Sequence, residues 1–447
     1  MQIRIPHVVI VGVGFAGLYA AKTLAGQNFR VTLLDRRNHH TFQPLLYQVA
    51  SAALSPGEIA VPIRHIFSKA PNIETLLDEV TGFDLKNQRV LMDDDSIIYD
   101  YLIVASGATH TYFGHDEWAS LAPGLKTVED ATEIRRRVLL AYEIAERDAQ
   151  LGKPVSPINI VVVGGGPTGV ELAGAMAEIA RQVLADDFRA IRPATTRVLL
   201  VEAGSRILST YPEDLSRSAT EQLQKLGVDV LTGAAVTEIA DDHIMIGDKL
   251  LPSTVVLWGA GVAASPLGKK LGAPTDRAGR VIVTQDLTIP GHSNVFVLGD
   301  LAAVKQSDGK PVPGVAPAAI QMGKYAGEMI LADARHQPRK PFVYHDKGSL
   351  ATIGRSAAVG EIGRAHFSGF PAWIAWLLVH IYFLIGFHNR ILVLLQWLWA
   401  YVSFSRGARL ITGQSRSVAP REHGVVHEAD VSNEEVAQRI GNSVPYR

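Results

Sequence analysis

The chain has 447 residues, 47% of them hydrophobic and 19% charged, so it can bury the cores of two or three domains. Its 43 lysines and arginines balance 44 aspartates and glutamates, a near-neutral charge that argues against nucleic acid as a partner. The absence of cysteine excludes disulfides, cysteine-bound iron–sulfur clusters and electron transfer through a cysteine pair.

The apolar run Val8–Val11 reads as a buried parallel strand. It leads into Gly12-x-Gly14-x-x-Gly17, then a helical pattern (Leu18, Ala21, Leu24), then a second strand from Val31 ending in Asp35. This is the order of a dinucleotide-binding βαβ unit. Gly12 makes the tight turn, Gly14 lets backbone approach a pyrophosphate, and Gly17 packs helix on strand. Asp35 stands where a carboxylate accepts from ribose hydroxyls. A glycine-rich turn in another α/β protein is the plainer alternative. No charged n-region, apolar h-region and cleavage site precede Val8. The folded body is therefore expected on the cytoplasmic (or stromal or matrix-equivalent) face of a membrane.

Residues 36–67 mix histidine, proline and aromatics without one period and read as an excursion that could cover a cofactor. Val80, Val90 and the acidic Asp93–Asp95 suggest an antiparallel meander with a solvated turn. Tyr101–Gly107 is a strand ending in the small residues Ala105, Ser106 and Gly107, where backbone can approach a ligand. Residues 128–150 carry apolar positions at helical spacing, most simply a surface helix. Gly152–Pro157 reads as a linker.

The fingerprint then repeats. Ile160–Val163 leads into Gly164-x-Gly166-x-x-Gly169, and a later strand, Val198–Val201, ends in Glu202. Glu202 lies 33 residues beyond Gly169, and the extra length between Arg181 and Arg197 is expected to prolong the helix. A carboxylate at Glu202 favours NADH over NADPH, although the nearby Arg206 is a cation that a 2′-phosphate could use. Two dinucleotide sites in one chain are most economically explained by hydride transfer between a flavin and a nicotinamide. Val255–Gly261 is another strand ending in glycines, and Asn294–Asp300 a strand ending in an acid. The latter can return to the first sheet, where Asp300 would bind the polyhydroxyl chain of FAD. A turn-forming role is the plainer reading of Asp300.

The ordered strings GVGFAG, ASGATH, GGGPTGVELAG, WGAG and VFVLGD resemble the two-dinucleotide-binding flavoproteins of glutathione-reductase-like fold. HHTFQPLLYQVA, GGGPTGVELAGAMAE, VLLVEAG and APAAIQ are similar to the type II, non-proton-pumping NADH:quinone oxidoreductases. The resemblance spans residues 6–410. It implies an α/β fold of two Rossmann-like domains, the second inserted in the first, plus a C-terminal helical membrane-docking region. The implied bounds are 1–153 and 285–344 for the FAD domain, 154–284 for the NADH domain, 345–411 for the membrane-associating domain and 412–447 for a polar, mobile tail.

The expected FAD contacts are Gly12, Gly14, Phe15, Ala16, Gly17, Asp35, Arg36, Pro44, Leu45, Val80, Ala105, Ser106, Gly107, Asp300, Pro317 and Ala318. The expected NADH contacts are Gly164, Gly166, Pro167, Thr168, Gly169, Glu202, Gly259, Ala260 and Gly261. Glu171, placed in the first turn of the second fingerprint helix, matches the family glutamate implicated in proton delivery. Structurally, an acid there would simply suit the positive helix end. Pro317 should start a helix whose positive end faces the flavin. The family often has a glutamine pair here. This chain puts Pro317 at the first place and keeps only Gln321, which could donate to a quinone carbonyl, or lie on an exposed helix face. Gln48 is also implied on the quinone side. No metal is required.

Pro371–Phe387 and Ile391–Phe404 are uncharged runs holding four of the six tryptophans. Neither reaches the ~20 apolar residues of a comfortable transmembrane helix. A hairpin lying in the membrane interface fits better, with Arg364, Arg390, Arg406 and Arg409 near anionic lipid. A transmembrane hairpin and a homodimer surface are the alternatives. Ser432–Glu435 reads as a capping box in the tail. The implied activity is NADH oxidation through FAD with reduction of a membrane quinone. A reductase of a soluble protein carrier and a non-catalytic NAD(H)-sensing flavoprotein are the other classes.

Overall fold

The computed structural model describes residues 4–384 except 186 and 307, 390–398 except 396, and 408–413. Two parallel sheets carry the fold. In the first, His7–Val11 lies between Arg30–Asp35 and Tyr101–Val104. Ile73–Leu77 extends it on one side and His292–Val297 on the other, with Thr288–Ile289 antiparallel at the edge. Val8, Val9 and Ile10 are fully buried, which explains an unbroken apolar run where a half-exposed strand would alternate.

His292–Val297 returns to this sheet after the chain has built a second one. There Asn159–Val163 lies between Arg197–Glu202 and Val255–Trp258, with Val228–Thr232 outermost. The second Rossmann unit is thus inserted in the first. Gly82–Asp84, Arg89–Leu91 and Ser96–Ile98 form the antiparallel meander, its acidic turn at 93–95 exposed. The helix Val128–Gln150 begins at a reciprocal cap. Asp130 N–H donates to Thr127 Oγ1 at 3.0 Å, and the Asp130 carboxylate accepts from Thr127 N–H at 2.9 Å.

Two expectations need correction. The extra length after Gly169 prolongs the second fingerprint helix only slightly. That helix, Pro167–Glu178, gains only one π turn, Ile179–Val183, and the length beyond it is loop with a short 3-10 turn at Pro193–Thr195. The loop is held instead by Glu146, whose carboxylate accepts from the N–H groups of Arg189, Ala190 and Ile191. The C-terminal region is also not helical throughout. Ser349–Gly354, Ala357–Ile362 and Ala365–Ser368 form an antiparallel sheet packed on Pro167–Glu178, ahead of the tail helix Phe370–Phe383.

The tail helix buries Ala372 and Trp376 and exposes Phe370, Ile374, Leu378, Val379 and Tyr382. In the helical residues 390–395 and 397–398, Val393 is buried while Ile391, Leu394, Leu395 and Leu398 are exposed. Among the described residues, no helix is long and apolar enough to cross a membrane. His388, Arg406 and the Ser432–Glu435 motif lie outside the described residues.

Candidate functional site

The two fingerprints fold into the same clasp. Gly12 (φ +89°) and Gly164 (φ +105°) turn each strand into its helix. The following residue then donates its N–H to the acid at the end of the next strand. Val13 N–H reaches Asp35 Oδ2 at 2.7 Å, and Gly165 N–H reaches Glu202 Oε2 at 2.5 Å. A Cβ on Gly17 would stand 1.9 Å from Gly12 O, and one on Gly169 would stand 1.8 Å from Gly164 O, so these third glycines are required by packing. A Cβ on Gly14 or Gly166 would meet no protein atom within 4 Å. That open space is where a ligand's pyrophosphate would approach.

A cleft of ≈ 810 Å³ opens in front of the first clasp. Its wall includes Gly12, Gly14, Phe15, Ala16, Asp35, Arg36, Pro44, Val80, Ala105, Ser106, Gly107 and Asp300 from the expected flavin set. Two helices begin here, Phe15–Leu24 and Ala316–Ala334, neither with a side-chain cap. Their first N–H groups and positive dipole ends are available to an anionic ligand. The chain therefore fits a dinucleotide, with a carboxylate at the ribose end and two helix starts along its length. Gly259, Ala260 and Gly261 approach the second turn so closely that a Cβ on Gly164 would stand 2.5 Å from Ala260 N.

The structure separates other expected contacts from the cleft. Gly17 packs behind the turn, and Leu45 and Ala318 are buried in the core. The helix starts at Ala316, with Pro317 second. Gly314, Ala316 and Ala319 line the cleft but Pro317 does not. The Gln321 amide is engaged elsewhere. Its Nε2 donates to His345 O and its Oε1 accepts from His345 N–H, both at 2.9 Å, which holds it off the cleft wall. Gln48 is buried, donating to Tyr47 Oη at 2.8 Å and accepting from Trp397 Nε1–H at 2.7 Å. Tyr47 lines the cleft and meets Trp376 edge-on at 6.4 Å. The tail is thereby joined to the cleft through aromatic packing and one buried amide.

Glu171 is the fifth residue of its helix and so lies in the second turn, because the helix starts at Pro167. Here it sits beyond the N-terminal ring of N–H groups, and Thr168 and Glu171 both reach the wall of the first cleft. Burial pushes the Glu171 carboxyl up to about 8, against a weaker opposing hydrogen bond with the Thr352 backbone. It stays protonated at neutral pH. Arg206 is spent on backbone, with guanidinium bonds to Tyr211 O at 2.8 Å and Ser209 O at 2.7 Å. Arg409 pairs with Asp187 at 3.2 Å and is not a free cation for lipid.

Sequence reasoning missed several residues. His40 is buried and neutral, its pKa lowered to about 4 by burial. Its Nδ1 lies 2.8 Å from Val13 O, so it donates there, and both peptide groups of Val13 are pinned. Lys126, Thr127 and Asp130 also line the cleft. Only the capping pattern T-x-x-D gave a local signal for them. Among the described residues no cluster could hold a metal ion.

A model of the pyridine nucleotide-disulphide oxidoreductases matches residues 6–323, and one of the NDH2 C-terminal domain matches residues 346–406. The chain is 45% identical to the type II NADH:quinone oxidoreductase Ndh of Mycobacterium tuberculosis, over 91% of this chain and 90% of that protein. It is 30% identical to a type II NADH:quinone oxidoreductase of Haemophilus influenzae, over 80% and 87%. In fold it is similar to NDH2 of Plasmodium falciparum, solved in complex with NADH, at a TM-score of 0.82 and 20% identity over 92% of this chain and all of that one.

Proposed function

The chain belongs to the type II NADH:quinone oxidoreductases, and from that membership we propose how its residues divide the work among FAD, NADH and a membrane quinone. It moves electrons from NADH to a quinone and pumps no protons. With no cysteine, it does so without the disulphide that gives the wider family its name.

FAD is the dinucleotide of the ≈ 810 Å³ cleft. Asp35 takes its ribose hydroxyls, and the Phe15–Leu24 helix start takes its pyrophosphate. Asp300 takes its polyhydroxyl chain, and the Ala316–Ala334 helix start faces its ring. NADH binds along the second clasp with its ribose on Glu202. The engagement of Arg206 with carbonyls supports NADH over NADPH. When bound, FAD supplies two-electron chemistry between NADH and quinone. Glu171 holds a proton at its carboxyl between the two sites and gives it up as the quinone is reduced. Tyr47 and Gln48, tied to Trp376 and Trp397, keep water from the quinone side. The exposed apolar face of the tail docks the enzyme on the membrane from the cytoplasmic or equivalent face.

The observation that carries this reading is that Thr168 and Glu171, from the helix of the second clasp, stand in the wall of the first cleft. The test is turnover of the full, detergent-solubilised chain with a lipophilic quinone, NADH beside NADPH, and identification of the flavin released on heating. FAD release and fast turnover with NADH alone support the reading. Released FMN, or a flavin that NADH bleaches and quinone does not reoxidise, overturns it.

A further inference from the structure

Three cations converge where the first fingerprint helix meets the tail. The helices Phe15–Leu24 and Ala316–Ala334 pack side by side. From the first, Lys22 places its ammonium 4.9 Å from the centroid of the Tyr19 ring. From the second, Lys324 places its own 5.5 Å from the same ring. Arg390, whose Nε donates to Leu384 O at 2.7 Å, adds its charge to both Tyr19 and Lys22.

Among the described residues, none of the three cations forms an ion pair with a carboxylate. Partial desolvation, together with the like charges of Arg390 and Lys324, holds the Lys22 ammonium below its ordinary pKa although its side chain reaches the surface. Lys22 and Lys324 are exposed, and so is Tyr382, on the last turn of the tail helix, which also bears on Tyr19. The cluster is thus continuous with the apolar face formed by Leu378, Val379 and Leu394. An unneutralised cation cluster beside an exposed apolar face is complementary to an anionic headgroup whose acyl chains meet that face.

We propose that Lys22, Lys324 and Arg390, arranged around Tyr19, form a binding site for the phosphate headgroup of an anionic phospholipid at the base of the tail. The site rests on the membrane-docking reading above. It adds lipid selectivity to it and ties the flavin-binding helix, as well as the tail, to the bilayer.

The test is sedimentation of the full-length holoenzyme with vesicles of phosphatidylcholine alone and with vesicles containing phosphatidylglycerol. Wild type should prefer the anionic vesicles. Lys22→Gln combined with Lys324→Gln should lose roughly 30-fold in affinity for them, at about 1 kcal/mol per lysine. Binding to neutral vesicles and turnover with a water-soluble quinone should be retained. A control with the same charge change at the exposed Lys153 and Lys249 should lose far less. Soluble phosphate at constant ionic strength should not displace the protein, and if it does, the site binds free phosphate rather than lipid. Equal losses in the two double variants, or a wild type that binds both vesicles alike, overturn the headgroup site while docking stands. Wild type that binds no vesicle overturns docking itself.

Discussion

At the scale of single residues, the fingerprint glycines have separable duties. Gly14 has ordinary backbone torsions (φ −68°) and open space beyond its Cα, whereas Gly17 abuts Gly12 O. Gly14→Ala should therefore keep native circular dichroism and purify without its yellow flavin, because the new methyl fills the phosphate approach. Gly17→Ala should instead yield little folded protein, since backbone must move to admit it. Glu171 makes a second residue-scale prediction. Its folded pKa of about 8 lies above the ordinary 4.5, so its contribution to stability is fully present below pH 4.5 and is lost as pH rises through 8. The melting temperature of Glu171→Gln should gain on that of wild type as pH is raised across this window. The variant's turnover should also lose any inflection near pH 8. Equal pH dependence in the two proteins would mean that Glu171 is not desolvated. The role proposed for this glutamate came from resemblance alone. Its raised pKa was not legible in the sequence, because it follows from tertiary burial that no local pattern records.

At the scale of elements, the link between tail and cleft passes through aromatic packing and one buried amide. Trp397→Phe keeps the packing against Trp376 but removes the donor to Gln48 Oε1. A buried acceptor left without its donor costs about 1–3 kcal/mol. The KM for a lipophilic quinone should rise by roughly fivefold or more, while the rate at which NADH bleaches the flavin stays unchanged. An unaltered KM would show that the bond serves packing only. The strands and fingerprint helices were readable because periodicity, glycines and terminal acids are local signals. The loop pinned by Glu146 was not, since its partner lies more than 40 residues away, and the 349–368 sheet, though its strands pair with one another, is placed by the distant helix Pro167–Glu178.

At the scale of the whole molecule, the tail is not a detachable anchor. Trp376, Leu384 and Val393 belong to the same buried core as Leu45, Val49 and Tyr142, so deleting residues from 371 onward would uncover that core. Membrane docking is better tested on the outward face alone. Leu378→Ser, Leu395→Ser and Leu398→Ser together should move the protein from the membrane to the soluble fraction, with turnover on a water-soluble quinone preserved. Continued membrane association of this triple variant would place the docking surface elsewhere.

The sequence by itself determined the two dinucleotide units, their insertion order, the exclusion of cysteine chemistry and the apolar tail. Each is written in composition, in spacing within a βαβ unit or in the order of the motifs along the chain. Only the tertiary structure decided that Glu171 enters the first cleft, that Gln321 and Arg206 are consumed by backbone, and that Lys22, Lys324 and Arg390 meet around one tyrosine. A side chain's availability depends on which distant segments reach it first, and no local pattern records that competition.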